Sequence, residues 1–364
     1  MKSFIDGQSR RLAASLLAFI AVAALVFAGC AKQDGGGGGG NSGSTGGGAA
    51  SEGGADAGGG GGSAVQQRLR NKQGKLVVGF SQMENNNPWR IAETNSIRDE
   101  AAKRADKYTL KVSDAQGQTS KQVNDVEDFV AQGVDVIFLA PREFEGLAPA
   151  LQSAKEAGIP VFLIDREAAG TPGQDYVAFL GSNFVEQGKR AAEWLINKTN
   201  GKAGIVELTG TAGASVANDR QKGFMDAIKS HPDMKVIASQ TGNFSRAEGQ
   251  KVMENIIQSK GKEITAVYAH NDEMALGAIQ ALKAAGMKPG TDVLIVSVDG
   301  EKDALKSIVA GEMSISVESN PRFGPLAFDT LEKYLRGEQI PPKIILTDRF
   351  FDQSNAAQFV DEAY

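Results

Sequence analysis

From Lys75 onward the chain alternates two kinds of apolar spacing. One kind is short and apolar on both faces: LVVGF (76–80), VDVIFLA (134–140), PVFLID (160–165), AGIVELTG (203–210), ITAVYAH (264–270) and VLIVSVDG (293–300). Rich in Val and Ile, these runs predict strands buried on both sides, as in parallel sheets. The other kind is amphipathic at helical spacing, as in QVNDVEDFVAQG, GKRAAEWLINK, DRQKGFMDAIKS and EMALGAIQALKAAG. Gly133, Gly158 and Gly286 close several of these segments, as helix-terminating glycines do. Regular alternation of strand and helix predicts a doubly wound α/β fold. The number of units predicts two such parallel-sheet domains, each around its own core.

The strand ends carry chemistry. Ser81 ends the first run, Pro141 and Arg142 follow the second, and Asp165 and Arg166 follow PVFLI. Thr209, Thr211 and Ser215 follow GIVEL, Asn271 and Asp272 follow VYAH, and Asp299 ends VLIVSV. Open α/β sheets bind ligands beyond the carboxyl ends of their strands. One polar strand end is ordinary helix capping; several aligned ones predict a shared polar cleft. The stretch NNNPWRIAETN (85–95) stands out, because turn chemistry explains its asparagines and Pro88 but not Trp89, Arg90 and Glu93 together.

The amino-terminal segment has a different pattern. Lys2, Arg10 and Arg11 precede an apolar run from Leu12 to Phe27, followed by small residues and the only cysteine, Cys30. The run is short for a membrane-spanning helix, which needs ~20 residues. Residues 1–30 resemble a bacterial lipoprotein signal, which implies that Cys30 is lipidated, although Phe27 stands where Leu is more usual. An ordinary secretory signal is the plainer alternative. From Asp34 to Ser63 the chain is nearly all Gly, Ser and Ala. Such composition buries too little apolar area to offset backbone entropy, so residues 31–71 are expected to be a disordered tether.

Composition narrows the function. The 364 residues carry a formal net charge of −5, so no global basic field attracts nucleic acid. One cysteine excludes an internal disulfide framework, and with two histidines it argues against a metal site. His231 precedes a proline and reads as a loop residue; His270 reads as structural. No G-x-x-x-x-G-K-[ST] phosphate loop occurs, and no cofactor is expected.

The candidate cleft residues suit a hydroxyl-rich ligand. Asp165 and Asp299 accept from vicinal hydroxyls, Arg166 and Arg220 present planar donor forks, and Asn271 donates and accepts at once. Trp89 and Phe244 offer flat apolar faces to the C–H side of a sugar ring. Arg90 and Glu93, three apart, share a helix face. Each also has a plainer role: Asp165 with Arg166 as an ion pair, Asn271 as an N-cap, Asp299 before Gly300 as a turn, and Trp89 as core. Arg220, Arg90 and Glu93 could sit on solvated helix faces. A glycosidase would need two carboxylates ~5–9.5 Å apart, and Asp165 with Asp299 could be misread as such a pair.

The order NNPWR, LIDR, DRQKGF, NDEMALGAIQAL and SVDG resembles the periplasmic monosaccharide-binding proteins related to ribose-binding protein, the type I receptors of ABC importers. The likeness runs from about Lys75 to the end. Within that family, WRIAETN, VAQGVDVIFLAP and GTAGASVANDRQKGF are similar to the galactofuranose-binding receptors. The resemblance implies sugar contacts from Ser81, Trp89, Arg90, Glu93, Asp165 and Arg166 in one domain. It implies others from Arg220, Phe244, Asn271 and Asp299 in the second, with Glu318 beside a crossover. Arg90 where an aromatic is expected, and Ala140 where an amide is expected, count against ribose itself.

The resemblance further implies three interdomain crossings, near Ser182-Asn183, Glu318-Ser319 and Thr347. Domain one would combine 72–182 with 319–346, and domain two 183–318 with 347–364. The expected molecule is a monomeric, non-enzymatic sugar receptor outside the cytoplasm, held to a membrane by its lipid alone. Its expected partners are a permease and an ATPase on separate chains; a chemoreceptor or sensor kinase is the alternative.

Overall fold

The computed structural model describes residues 63–364. The proposed signal segment, Cys30 and the Gly-rich part of the tether lie outside the described residues. The tether was expected to continue to residue 71. Instead Ala64–Asn71 form helix α1, opened by a reciprocal cap in which Ser63 and Gln66 each bond the other's backbone N–H. Leu69 is buried and Gln66 Nε2 donates to the Tyr334 carbonyl at 3.0 Å, so this segment has a docking partner that composition does not reveal.

Strand and helix then alternate: β1 (Leu76–Gln82), α2 (Pro88–Lys103), β2 (Tyr108–Asp114), α3 (Thr119–Ala131), β3 (Val136–Leu139), α4 (Ala148–Glu156), β4 (Val161–Ile164) and β5 (Ala178–Gly181). A second series follows with α5 (Phe184–Thr199), β6 (Lys202–Thr209), α6 (Ser215–Ile228), β7 (Asp233–Thr241), α7 (Arg246–Lys260) and β8 (Ala266–Ala269). It continues with α8 (Asp272–Ala284), β9 (Leu294–Asp299), α9 (Lys302–Val309) and β10 (Ile315–Glu318). The chain ends with α10 (Gly324–Leu335), β11 (Lys343–Ile345), β12 (Phe350–Asp352) and α11 (Ala356–Phe359).

Two six-stranded sheets result, ordered β2-β1-β3-β4-β5-β11 and β7-β6-β8-β9-β10-β12. All neighbours run parallel except β12, which lies antiparallel to β10 at the edge. The six strands expected from the sequence are β1, β3, β4, β6, β8 and β9. Of the others, β2 and β7 are half-exposed at sheet edges and β11 and β12 are only three residues long; β5 and β10 are buried four-residue strands like β3, β4 and β8, and their length does not explain why they were missed. Gly133, Gly158 and Gly286 do end helices, each with positive φ.

Side-chain alternation along the strands builds a core on both faces of each sheet. In the first, Val136 and Phe138 meet Phe328 and Ile97, while Ile137 and Leu139 meet Phe129 and Leu151. In the second, Tyr268 and Val296 meet Leu195 and Phe224, whose ring stacks on Tyr268 with centroids 4.0 Å apart.

The chain passes between the sheets three times: after β5, after β10, and between β11 and β12. The first passage leads into α5, which lies unusually close to α6. A Cβ added to Gly223 would sit 1.9 Å from the Val185 carbonyl oxygen, so these helices touch backbone to backbone. Gly223→Ala is therefore expected to force α5 and α6 apart and to destabilise the protein by about 1–3 kcal/mol, as overpacking does. Urea unfolding of mutant and wild type measures this; an unchanged midpoint would contradict the close contact.

Candidate functional site

The carboxyl ends of both sheets face one another across a narrow cleft. Helix α2 starts at its lip because Asn87 caps it, accepting from the Arg90 N–H, and Pro88 supplies a preset first-turn φ. That start projects Trp89 and Arg90 inward, and both are buried. Trp89 is oriented by a 2.8 Å hydrogen bond from its indole N–H to the Ser319 carbonyl, and the Arg90 guanidinium lies 4.5 Å from the Trp89 ring centroid.

Arg90 divides its fork between two carboxylates, Glu93 at 2.8 Å and Asp165 at 2.7 Å. Burial works against its charge, but Asp165 and Glu93 more than offset it, and its pKa rises. Burial pushes Glu93 up to about 7 against the opposing pull of Arg90. Arg166 donates to the Arg142 carbonyl at 2.9 Å and lies 5.3 Å from the Phe244 ring; burial and the neighbouring Arg90 draw it down to about 9. Its Nε has no hydrogen-bond partner in the protein.

On the facing wall, Arg220 of α6 donates to Asp299 at 3.2 Å, to the His270 carbonyl, and to Gln187 at 2.9 Å. Burial raises Asp299 well above the usual carboxylate range, with Arg220 opposing. The turn that carries Asp299 is held from behind. Asp272 accepts from the N–H groups of Gly300 and Glu301, and from the hydroxyls of Ser297 and Ser316. Asn271 caps α8 through Met274 N–H while its amide nitrogen donates to the Phe244 carbonyl, so one side chain sets both helix and aromatic. Gly210 lies directly against the Phe244 ring; a Cβ there would come within 1.9 Å of it.

Eight of the eleven residues selected from sequence line one cavity of about 30 Å³: Trp89, Arg90, Asp165, Arg166, Arg220, Phe244, Asn271 and Asp299. Asn87 and Val216 also line it. Three selected residues do not. Ser81 is fully buried within β1. Glu93 is fully buried behind Arg90, bonded to Gln82 at 2.8 Å. The Glu318 carboxylate is held by Arg349, which approaches it through its backbone N–H, Nε and Nη2. Each is drawn off by a partner or depth that strand-end position does not report.

Contacts join the two walls. The Phe144 N–H donates to the Gly213 carbonyl at 2.9 Å, and the Glu167 N–H to the Ser215 hydroxyl at 3.0 Å. His270, expected to be structural, sits between the Gly210 N–H at Nδ1 and the Glu207 carboxylate at Nε2, 3.2 Å away. Among the described residues no cluster of His, Cys, Asp and Glu suits a metal ion, and no helix is long and apolar enough to cross a membrane. A larger, shallow depression of about 600 Å³ lies at the amino end of β4, between α1 and α10. Its one close ion pair, Lys155 with Asp175, is already satisfied.

The depth of Glu93 makes it a positioning group for Arg90. Glu93→Ala would leave Arg90 with one carboxylate and Gln82 Nε2 with only the Thr94 hydroxyl to donate to. Breaking a buried pair in this way costs about 3–5 kcal/mol, so a loss near 3 kcal/mol is expected in chemical denaturation. A loss below about 1 kcal/mol would mean that solvent, not Glu93, balances Arg90.

Comparison with known proteins identifies the family. The profile of the periplasmic binding protein domain matches residues 78–339. The galactofuranose-binding protein YtfQ of Escherichia coli is 48% identical over 275 residues, 75% of this chain and 86% of that protein. The crystal structure of a galactofuranose binding protein superposes with a TM-score of 0.76 at 44% identity, covering 79% of this chain and 98% of its own. The periplasmic binding protein component of the arabinose ABC transporter from Shewanella sp. ANA-3, bound to α- and β-L-arabinofuranose, gives a TM-score of 0.76 at 41% identity, with 79% and 95% covered. These relatives are binding proteins, not enzymes, and the chain belongs to the periplasmic binding protein family.

Proposed function

We propose that this chain is an extracytoplasmic solute-binding lipoprotein that captures a monosaccharide, galactofuranose foremost, and delivers it to an ABC-type sugar importer. The observation that carries the reading is the charge balance of the cleft. Three guanidinium groups (Arg90, Arg166, Arg220) meet two carboxylates at the cavity wall (Asp165, Asp299) and a third, Glu93, behind Arg90, with Trp89 and Phe244 as flat walls. A site whose cations are paired with carboxylates, and which offers many polar donors and acceptors, suits a neutral ligand dense in hydroxyls. Arg166 Nε, 3.7 Å from Asp165 Oδ2 and making no hydrogen bond in the protein, is a donor that a ligand oxygen would satisfy. The relatives named above, one described as galactofuranose-binding and one bound to arabinofuranose, favour a five-membered ring.

In this reading the sheets belong to two domains, 72–182 with 319–346 and 183–318 with 347–364, that part and close by a hinge. A cavity of about 30 Å³ is too narrow for a sugar, so entry requires the walls to separate. Phe144–Gly213 and Glu167–Ser215 are the bonds that break on opening and re-form on closure. Closure desolvates the arginines and carboxylates, which strengthens their hold on ligand hydroxyls. The closed form is what a separate permease, driven by a separate ATPase, would receive. The receptor itself would act as a monomer.

Galactofuranose is expected to bind more tightly than ribose or glucopyranose. Its exocyclic diol needs partners of its own, and Arg90, backed by Glu93, supplies donors where an aromatic would not. Arg90→Phe should weaken galactofuranose by tenfold or more, about 1.5–3 kcal/mol for a charged hydrogen bond, and a pentose by less. Calorimetric competition among the free sugars tests this; ribose or glucose binding as well as galactofuranose would refute the ligand assignment.

Anchoring rests on the FAGC sequence that ends at Cys30. Cys30→Ser is expected to move the protein from the membrane fraction to the soluble fraction without altering its melting temperature. Equal partitioning of mutant and wild type would rule out the lipid anchor.

A further inference from the structure

Gln187, on α5, lies outside the cavity and was not among the residues selected from the sequence. It is 1% exposed, and both ends of its amide are engaged. Its oxygen accepts from Arg220 Nε at 2.9 Å. Its nitrogen donates to Asp348 Oδ2 at 2.7 Å and to the Glu318 carbonyl at 3.2 Å. Asp348 in turn accepts from the Ser182 hydroxyl at 2.9 Å, and its own carbonyl accepts from Arg190 at 2.9 Å.

These partners are spread in a particular way. Ser182 begins the first passage between the sheets, Glu318 begins the second, and Asp348 lies within the third. Arg220 belongs to the cavity wall and also holds Asp299. One amide therefore connects a cavity cation to all three passages, two directly and one through Asp348.

The chemistry at this position is restrictive. A guanidinium only donates, so the side chain facing Arg220 must accept; a carboxylate and a carbonyl only accept, so the same side chain must donate to Asp348 and Glu318. Glutamate would face Asp348 with a second negative charge, and an apolar residue would strand Arg220 Nε and an Asp348 oxygen. Glutamine meets both demands, and the partners themselves fix which end of its amide is oxygen.

We propose that Gln187 is a positioning residue for ligand binding: it holds Arg220 in register with the three interlobe passages, so that the affinity of the cavity depends on hinge geometry through this single amide. The inference rests on the sugar-binding reading above and adds a residue that never touches the sugar. It explains why a glutamine is buried in α5 where helix packing alone would favour an apolar side chain. It also assigns Asp348 a part in affinity despite its place in a loop outside the cavity.

The test uses the full chain without its signal segment, titrated with galactofuranose by calorimetry. Gln187→Met conserves volume and removes both polar ends. It is expected to weaken binding by roughly tenfold, as loss of a hydrogen bond to a charged group does, while the unliganded melting temperature shifts by only a few degrees. Asp348→Ala should weaken binding in the same direction, and the double variant should bind no more weakly than Gln187→Met alone, because both act through one chain of bonds. Should Gln187→Met fail to fold, Asp348→Ala carries the test alone. Unchanged affinity in the folded variants, or losses that simply add, would overturn the proposal. A lowered melting temperature with intact affinity would reduce Gln187 to a structural role and overturn it equally. If wild type binds no monosaccharide, the sugar-binding reading fails and this inference with it; if wild type binds and the variants match it, the inference alone fails.

Discussion

Three arginines are buried at the meeting edge of two sheets, and the cleft depends on how their charge is met. Removing a guanidinium from water carries a desolvation cost of several kcal/mol, which only well-placed acceptors offset. The protein meets it differently for each. Arg90 has two carboxylates, Arg220 has a carboxylate, a carbonyl and an amide, and Arg166 has a carbonyl and a looser ion pair with Asp165 at 3.7 Å, with the Phe244 ring nearby. Arg166 is the least satisfied, and burial lowers its pKa while that of Arg90 is raised. The site is thus most poised for new hydrogen bonds where its own are fewest.

The fold supplies these partners through repeated geometry. Both sheets share the strand order second-first-third-fourth-fifth, so each reverses direction between its first and third strands. Ligand crevices form beyond the strands at such reversals. Placing two sheets with carboxyl ends face to face brings two sets of strand-end residues into one space. Support comes from a layer behind: Asp272 fixes the turn that carries Asp299, Asn271 fixes Phe244, and Glu93 fixes Arg90. Precision at the cavity wall comes from these buried bonds more than from the wall residues themselves.

Much of this was legible in the chain. Runs such as VDVIFLA and VLIVSVDG are apolar on both faces because parallel strands are covered on both, which made the central strands and fold class readable. Edge strands such as β2 and β12 were not readable, because one partner and partial exposure leave no such pattern. Helix α1 was hidden by the Gly-rich run before it; its stability lies in Leu69 and Gln66 docking onto distant residues, which local composition cannot express.

The site divides in the same way. Sequence alone determined the inventory: an aromatic, arginines, carboxylates and an amide at strand ends and helix starts, where local geometry points side chains past the sheet edge. Tertiary structure alone decided which of them share the cavity. Glu318 sits at a strand end like Asp299, yet Arg349, 31 residues on in the chain, captures it. Gln187 sits in the first turn of α5 with no local signal, yet it joins Arg220 to Asp348. The reason is that local backbone preference sets the direction of a side chain within a few residues, whereas its partner is set by how separate sheets and passages come together.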